Sequence, residues 1–413
     1  MPQAPKSRRR LLIVGMGQRG AGMWGKELIE RWGDVVELVG LVDQNPLRLA
    51  RARDFVGARV PTFVDLDAAL EASEPDTVVV ATPDYTHDEV IVRALEAGAD
   101  VISEKPLATT ADKARRILAA EARTGHRVDV AFNYRFSPTA ARIKSLIREG
   151  AIGRILSVDF HWYLDTRHGA DYFRRWHAYV GKSGSLFVHK ATHHFDLLNW
   201  HLEGAPQFVF AFGDLRVYGR NGAFRGARCK TCDHARDCPF HFNLAADAYL
   251  SDFYEEPSKA DGYVRDACVF REDIDIFDTM TAAIRYETGA QVSYSLNAAM
   301  PIEGYRLAFN GEKGRIEIRQ YERQAWPEPP SDMILLARNF GAAERIFVAH
   351  QSGGHFGGDD ALRDALFRSD APDPLGRRAD ARAGALAMLC GVAAELSARE
   401  SRLVAIDSLG LGL

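Results

Sequence analysis

Gly15-Met16-Gly17-Gln18-Arg19-Gly20 follows the apolar run Leu11-Leu12-Ile13-Val14 and opens a helical stretch. Few folds lead a buried strand through three such glycines into a helix. In a dinucleotide-binding domain the first permits a tight turn, the second lets the backbone approach a pyrophosphate, and the third lets helix and strand pack closely. The pyrophosphate then sits at the positive end of the helix dipole. Asp43 closes the next apolar run, Val35–Val42, at the roughly 20-residue spacing where an acid accepts hydrogen bonds from the adenosine ribose. A carboxylate there repels a 2′-phosphate, which favours NAD over NADP. Arg48 is the opposing signal, a cation within reach of such a phosphate if its loop folds back. The competing reading is a glycine turn and a surface Asp in an unrelated α/β fold.

The rest of the chain supports the dinucleotide reading. Short apolar runs at Thr77–Ala81, Asp100–Ser103 and Val128–Phe132 alternate with amphipathic stretches such as Asp88–Ala97 and Ala111–Arg123. That alternation predicts a doubly wound parallel sheet, a Rossmann domain over 1–135. Beyond Gly150 the period changes to two in Ile155–Trp162, Phe208–Val217, Thr281–Tyr286, Gln291–Leu296 and Arg315–Ile318. This predicts an α+β domain over 136–413 on an open, mostly antiparallel sheet. A helix is expected near Ala379–Arg399. At 413 residues two domains are the expectation in any case.

The net charge of −4 leaves no basic surface of the kind nucleic acid requires. No apolar run approaches the roughly 20 residues that cross a bilayer. Arg8-Arg9-Arg10 before Leu11 imitates a secretory leader, but the apolar run is short and passes straight into the glycine turn. Cys229, Cys232, Cys238 and Cys268 fall inside a stretch, about 219–275, that reads as neither strand nor helix and is treated as an insertion. Four thiolates satisfy a closed tetrahedral zinc shell, which would be structural and would supply folding energy to a segment poor in apolar residues. His234 or His241 can replace Cys268, and an iron–sulfur cluster uses the same ligands. Unrelated reduced cysteines are the bland alternative. The cluster suits a cytoplasmic protein better than a secreted disulfide framework, and Cys390 reads as a core residue.

Ala81-Thr82-Pro83 with His87, Glu104-Lys105-Pro106, Asn133 and the stretch Gly184–Trp200 stand in order behind the glycine motif. Together they resemble the Gfo/Idh/MocA family, which includes glucose–fructose oxidoreductase and inositol dehydrogenase. The resemblance implies NAD contacts from these first segments. It also implies a second-domain sheet that covers the nicotinamide and joins subunits into a homodimer or homotetramer. Lys105 takes the place of the family's active-site lysine beside the reacting hydroxyl. The family's helix carries an Asp, a His four residues later and an Asp three further on. His193 and Asp196 fill the last two places, while His189 stands where the family has Asp.

A carbinol that gives up hydride must also lose a proton, and a base with a pKa near 7 does this best. His193 is expected as that base, with Lys105 stabilising the alkoxide and His189 on the same helix face. Lys190 adds positive charge suited to an anionic substrate, while His194 points to a different face. Tyr134, Arg174 and His355 are expected to line the substrate pocket, His355 from the Gly-rich stretch Gly353–Asp360. Tyr163, Arg167, Tyr172 and Arg175 fall in a donor-rich loop. Phe195, Leu197, Leu198 and Trp200 read as core. The leading expectation is an NAD-dependent dehydrogenase of a sugar, sugar acid or cyclitol. The second is an NAD-dependent glycosidase that transiently oxidises C3, eliminates the C1 substituent, adds water and re-reduces. The third is a non-catalytic NAD-binding regulator.

Overall fold

The computed structural model describes residues 8–57, 59–369 and 372–412; of the first expected domain 1–7 and 58 lie outside it, and of the second 370, 371 and 413. The strands of the first region are β1 Arg9–Val14, β2 Val36–Val42, β3 Thr62–Phe63, β4 Thr77–Val80, β5 Asp100–Ser103 and β6 Val128–Val130. After them come β7 Ile155–Asp165, β8 Pro206–Asp214, β9 Thr279–Tyr286, β10 Gln291–Met300, β11 Glu303–Gly311 and β12 Gly314–Arg323. The chain ends with β13 Ser331–Arg338, β14 Ala343–Ala349, β15 Ala379–Asp380 and β16 Val404–Ala405.

Strands β1 to β6 form a parallel sheet in the order β6-β5-β4-β1-β2-β3, and β15 adds antiparallel to β6. Leu11–Val14 and Thr77–Val80 are buried throughout, as strands covered by helices on both faces must be. Val14 pairs with Val42 and with Val80, and Val80 pairs with Ser103. The residues that follow, Gly15, Asp43, Ala81 and Glu104, therefore emerge together at the carboxyl edge of the sheet, where open α/β sheets bind ligands.

The second sheet has nine strands in the order β14-β13-β12-β11-β7-β10-β9-β8-β16. It is antiparallel except where β7 runs parallel to β10. Strand β8 stops at Asp214, short of the expected Val217, because Asp278 accepts the amides of Arg216, Val217 and Tyr218 and draws the chain off the sheet. The terminal helix Ala381–Glu400 is long and apolar enough to cross a membrane, but it is mostly buried and packs on β8 and on the helix Thr192–Leu202. Its Gly391 has no room for a side chain, since a Cβ would lie 2.3 Å from the Phe187 carbonyl oxygen.

The insertion has more of a core than its composition promised. Arg228 bridges to Ala267 at its base, and Phe253 and Tyr249 pack against Phe55 of the first domain at ring separations of 5.5 and 5.0 Å. The helix Gly358–Phe367 also reaches the first domain, burying Leu362 and Leu366 in the cluster that holds Trp24 and Trp32.

Candidate active site

The glycine loop is shaped by backbone contact. Gly15 adopts φ +96°, and a Cβ there would lie 2.6 Å from the Ala81 carbonyl carbon; one at Gly20 would lie 1.9 Å from the Gly15 carbonyl oxygen. Neither position tolerates a side chain. A Cβ on Gly17 would meet only the Tyr254 hydroxyl among the described residues, at 3.5 Å, which leaves the open backbone approach a pyrophosphate needs. Asp43 accepts the Met16 and Asn45 amides at 2.8 and 2.9 Å. Arg48 is tied to Asp43 and to Asp261 of the insertion, at 3.4 and 2.7 Å. These residues fit a dinucleotide cofactor.

Two elements wall this groove. On one side Tyr254 takes the Gln18 amide at 3.2 Å, and Asn45 donates to the Pro257 carbonyl and to Asp261. On the other, Arg19 bonds Glu104 at 2.9 Å and reaches Asp359 at 3.5 Å. Glu104 also accepts from Trp24, so its partners are Arg19 and Trp24 and not its neighbour Lys105. His87 is fully buried, with its ring nitrogens 2.8 and 2.9 Å from the Pro106 and Thr82 carbonyl oxygens. It pins the Ala81-Thr82-Pro83 turn to the Lys105 turn and has no face left for the cofactor contact expected of it. Asn133 donates to Asp359 at 2.5 Å and keeps its own oxygen buried without a partner among the described residues.

The reactive cluster lies at the same sheet edge. Lys105 donates to the His189 carbonyl at 3.1 Å and sits 3.4 Å from His189 Nε2. His189 Nδ1 lies 2.5 Å from the carboxylate of Asp84, which follows β4. The carboxylate fixes the proton on Nδ1 and leaves the Nε2 lone pair toward Lys105. Burial raises Asp84 and lowers His189 well away from their ordinary values. Burial also lowers Lys105 to about 8, with Lys190 adding to the fall and Asp84 opposing it. His193 is 3% exposed, its ring 4.8 Å from Tyr134 and 6.0 Å from His355. Burial pushes it well below the ordinary imidazole range, and its Nδ1 has no partner among the described residues.

Several expected site residues do come together here: Lys105, His189, His193, Tyr134, Lys190 and His355, whose ring is 5.2 Å from Tyr134. His355 is also 3.2 Å from Asp359 and has φ +53°. Arg174 does not join them. Its guanidinium bonds the Phe240 carbonyl and lies over Phe242, because its helix, Thr166–Arg174, turns that side chain toward the insertion. His194 is structural, bonded to Tyr294 at 2.7 Å and stacked 4.1 Å from Trp162. Asp196 anchors the helix through Arg135, at 2.5 and 2.7 Å. His350 lies with Asp332 and Glu328, apart from the cluster.

Asp84 was missed from the sequence although it directly follows Ala81-Thr82-Pro83. A second unanticipated relay runs from Glu303 to His168 at 2.5 Å and from His168 to Tyr172 at 2.9 Å, with the Tyr172 ring 5.3 Å from His189. A cleft of about 1000 Å³ lies elsewhere, among Asp67, Glu71 and Asp76 at the amino ends of the strands and away from these reactive groups.

The cysteines depart from expectation. Cys229, Cys232, Cys238 and Cys268 line one small cavity of about 10 Å³, walled by Phe224, Phe240 and Phe270. Among the described residues no three metal-ligating side chains are grouped to hold an ion. The aromatic packing gives the insertion an apolar core of its own, so the zinc expectation is not supported. Cys390 is fully buried, as expected.

A two-domain oxidoreductase that binds NAD is the class this fold and site define. The chain belongs to the Gfo/Idh/MocA family: residues 9–132 match its NAD-binding Rossmann fold and residues 144–406 its C-terminal alpha/beta domain. It is 39% identical over 426 aligned residues to the protein YteT of Bacillus subtilis (strain 168), covering 97% of this chain and 98% of that one. It is 37% identical over 144 residues to an inositol 2-dehydrogenase of Rhodococcus erythropolis (strain PR4 / NBRC 100887), a match spanning 34% of this chain and 41% of that enzyme. The solved WlbA dehydrogenase from Bordetella pertussis, in complex with NADH and UDP-GlcNAcA, shares the fold with a TM-score of 0.67 at 22% identity. That likeness covers 96% of this chain and 98% of the other.

Proposed function

We propose that the protein is an NAD-dependent oxidoreductase acting on a carbinol of a sugar, sugar acid or cyclitol. The observation that carries this reading is the Asp84–His189–Lys105 chain at the carboxyl edge of the sheet, beside the glycine loop. When bound, the nicotinamide supplies the hydride acceptor. Lys105, lowered to about 8, is close enough to neutrality to take the carbinol proton. His189 and Asp84 hold the lysine in place. His193, kept neutral by burial, is a hydrogen-bonding orienter and a weaker base than the sequence led one to expect. Arg48 is engaged by two carboxylates, so it offers little to a 2′-phosphate, and this supports a preference for NAD over NADP.

Leu156, Phe212, Met333 and Phe347 are exposed on strands of the large sheet, which supports a homodimer or homotetramer built on that sheet; mass in solution tests it. The activity is tested with a panel of aldoses, sugar acids, inositols and aryl glycosides, following NADH and aglycone separately. NADH from a free carbinol supports the proposal. Aglycone without NADH would replace it with the glycosidase, and silence in both would leave a regulator.

A further inference from the structure

Lys190 is 4% exposed, yet its ammonium makes no hydrogen bond and has no carboxylate within 4 Å among the described residues. It lies 4.8 Å from the Trp162 ring centre and 5.7 Å from that of Tyr134. Two aromatic faces attract a cation, but they do not replace the hydrogen bonds of its three N–H groups. The negative charges nearest to it are committed elsewhere. Glu303 is held by His168 and by Arg323 at 2.5 and 2.7 Å, and Glu322 accepts from the Tyr134 hydroxyl at 3.4 Å. Lys105 is a second, partly buried ammonium with no carboxylate within 4 Å among the described residues, and the two repel each other.

A buried, unpaired ammonium is costly and persists where a ligand completes it. Tyr134 also touches His193 and His355, so Lys190 borders the same reactive cluster. The Thr192 hydroxyl and His193 Nδ1, on the next turn of chain, are buried without partners among the described residues. Resting on the oxidoreductase reading above, we infer that Lys190 is the docking point for a carboxylate on the substrate, which makes the substrate a sugar acid. Lys105, lowered to about 8, is the proton acceptor of the proposed reaction, which leaves Lys190 as the fixed ammonium to match a single negative charge. The carboxylate would neutralise Lys190 on binding, and Tyr134 and Trp162 would hold the ammonium in place for it.

The test is calorimetric titration of the protein saturated with NADH, using D-glucuronate and D-galacturonate against D-glucose and D-galactose. At least one uronate should bind about tenfold or more tightly than its neutral hexose, the scale of one charge-assisted hydrogen bond. Lys190→Met should reduce that preference to less than about twofold, and Lys190→Arg, which keeps the charge, should retain most of it. NADH fluorescence and the melting transition report whether each variant is folded. Equal binding of acid and hexose by the unaltered protein, or no binding of either, overturns the inference, as does a preference that survives in Lys190→Met. Selective uronate binding with no NADH formed from any carbinol would sink the oxidoreductase reading and leave the carboxylate site standing.

Discussion

Replacing Asp84 with Asn keeps the size of the side chain and removes its charge, which makes it the sharpest probe of the reactive cluster. The carboxylate lies 2.5 Å from His189 Nδ1 and, through that ring, orients the Nε2 atom 3.4 Å from Lys105. It also opposes the burial that lowers Lys105 to about 8. An opposite charge in such a site shifts a neighbour by about one unit or more. Without it the Lys105 value falls, so the ascending limb of kcat/KM for carbinol oxidation should move from about pH 8 to about pH 7. The sign follows from the role of Lys105 as proton acceptor: it works deprotonated, and a lower pKa deprotonates it earlier. The rate on the plateau should also fall about 10- to 100-fold, because the imidazole is no longer locked. The assay is the pH profile of NADH formation in both proteins, with NADH affinity as the control for folding. An unmoved limb, or one moved toward alkaline pH, refutes the assigned chain of contacts.

Lys105→Met should lower turnover by about 10²–10⁴-fold while raising thermal stability at pH 7. The folded protein holds Lys105 near 8 against an ordinary 10.5, so its burial penalty is fully present below pH 8 and fades as pH rises through 10.5. The stabilisation, on the order of 3 kcal/mol, should therefore decline from about pH 8 and vanish above about pH 10.5 in melting curves. Tyr254→Phe removes the hydroxyl that meets the Gln18 amide; NADH should leave about fivefold faster in stopped-flow fluorescence, the worth of one ordinary hydrogen bond. An unchanged off-rate would mean the insertion wall does not retain the cofactor. Arg135→Ala leaves Asp196 as a buried unpaired charge, and denaturant unfolding should show a loss of about 3–5 kcal/mol.

The first domain was legible because its signals are local. Apolar runs, three glycines and an acid at fixed spacing name the strand ends, and parallel register then brings those ends together. The later strands were harder to see. Strand β14 is largely exposed and carries little alternation, and β15 and β16 are two-residue additions made only by tertiary pairing. At the site, His189, His193 and Lys190 were visible because they share a short segment. Asp84 was overlooked although it touches the motif, since its role depends on a histidine 105 positions away. Arg174 was misplaced because the sequence does not fix which way its helix faces. Tyr254 and Asp261 carry no local signal at all and reach the glycine loop only through the folding of the insertion.

The most direct test of the proposed chemistry compares NADH formation by the unaltered protein and by Lys105→Ala across aldoses, sugar acids and inositols, with NAD binding measured in both. The unaltered protein should reduce NAD with at least one of them, and Lys105→Ala should bind NAD yet form NADH at least ~100-fold more slowly. Near-normal rates in Lys105→Ala, or aglycone release from glycosides with no NADH from any free carbinol, would contradict it.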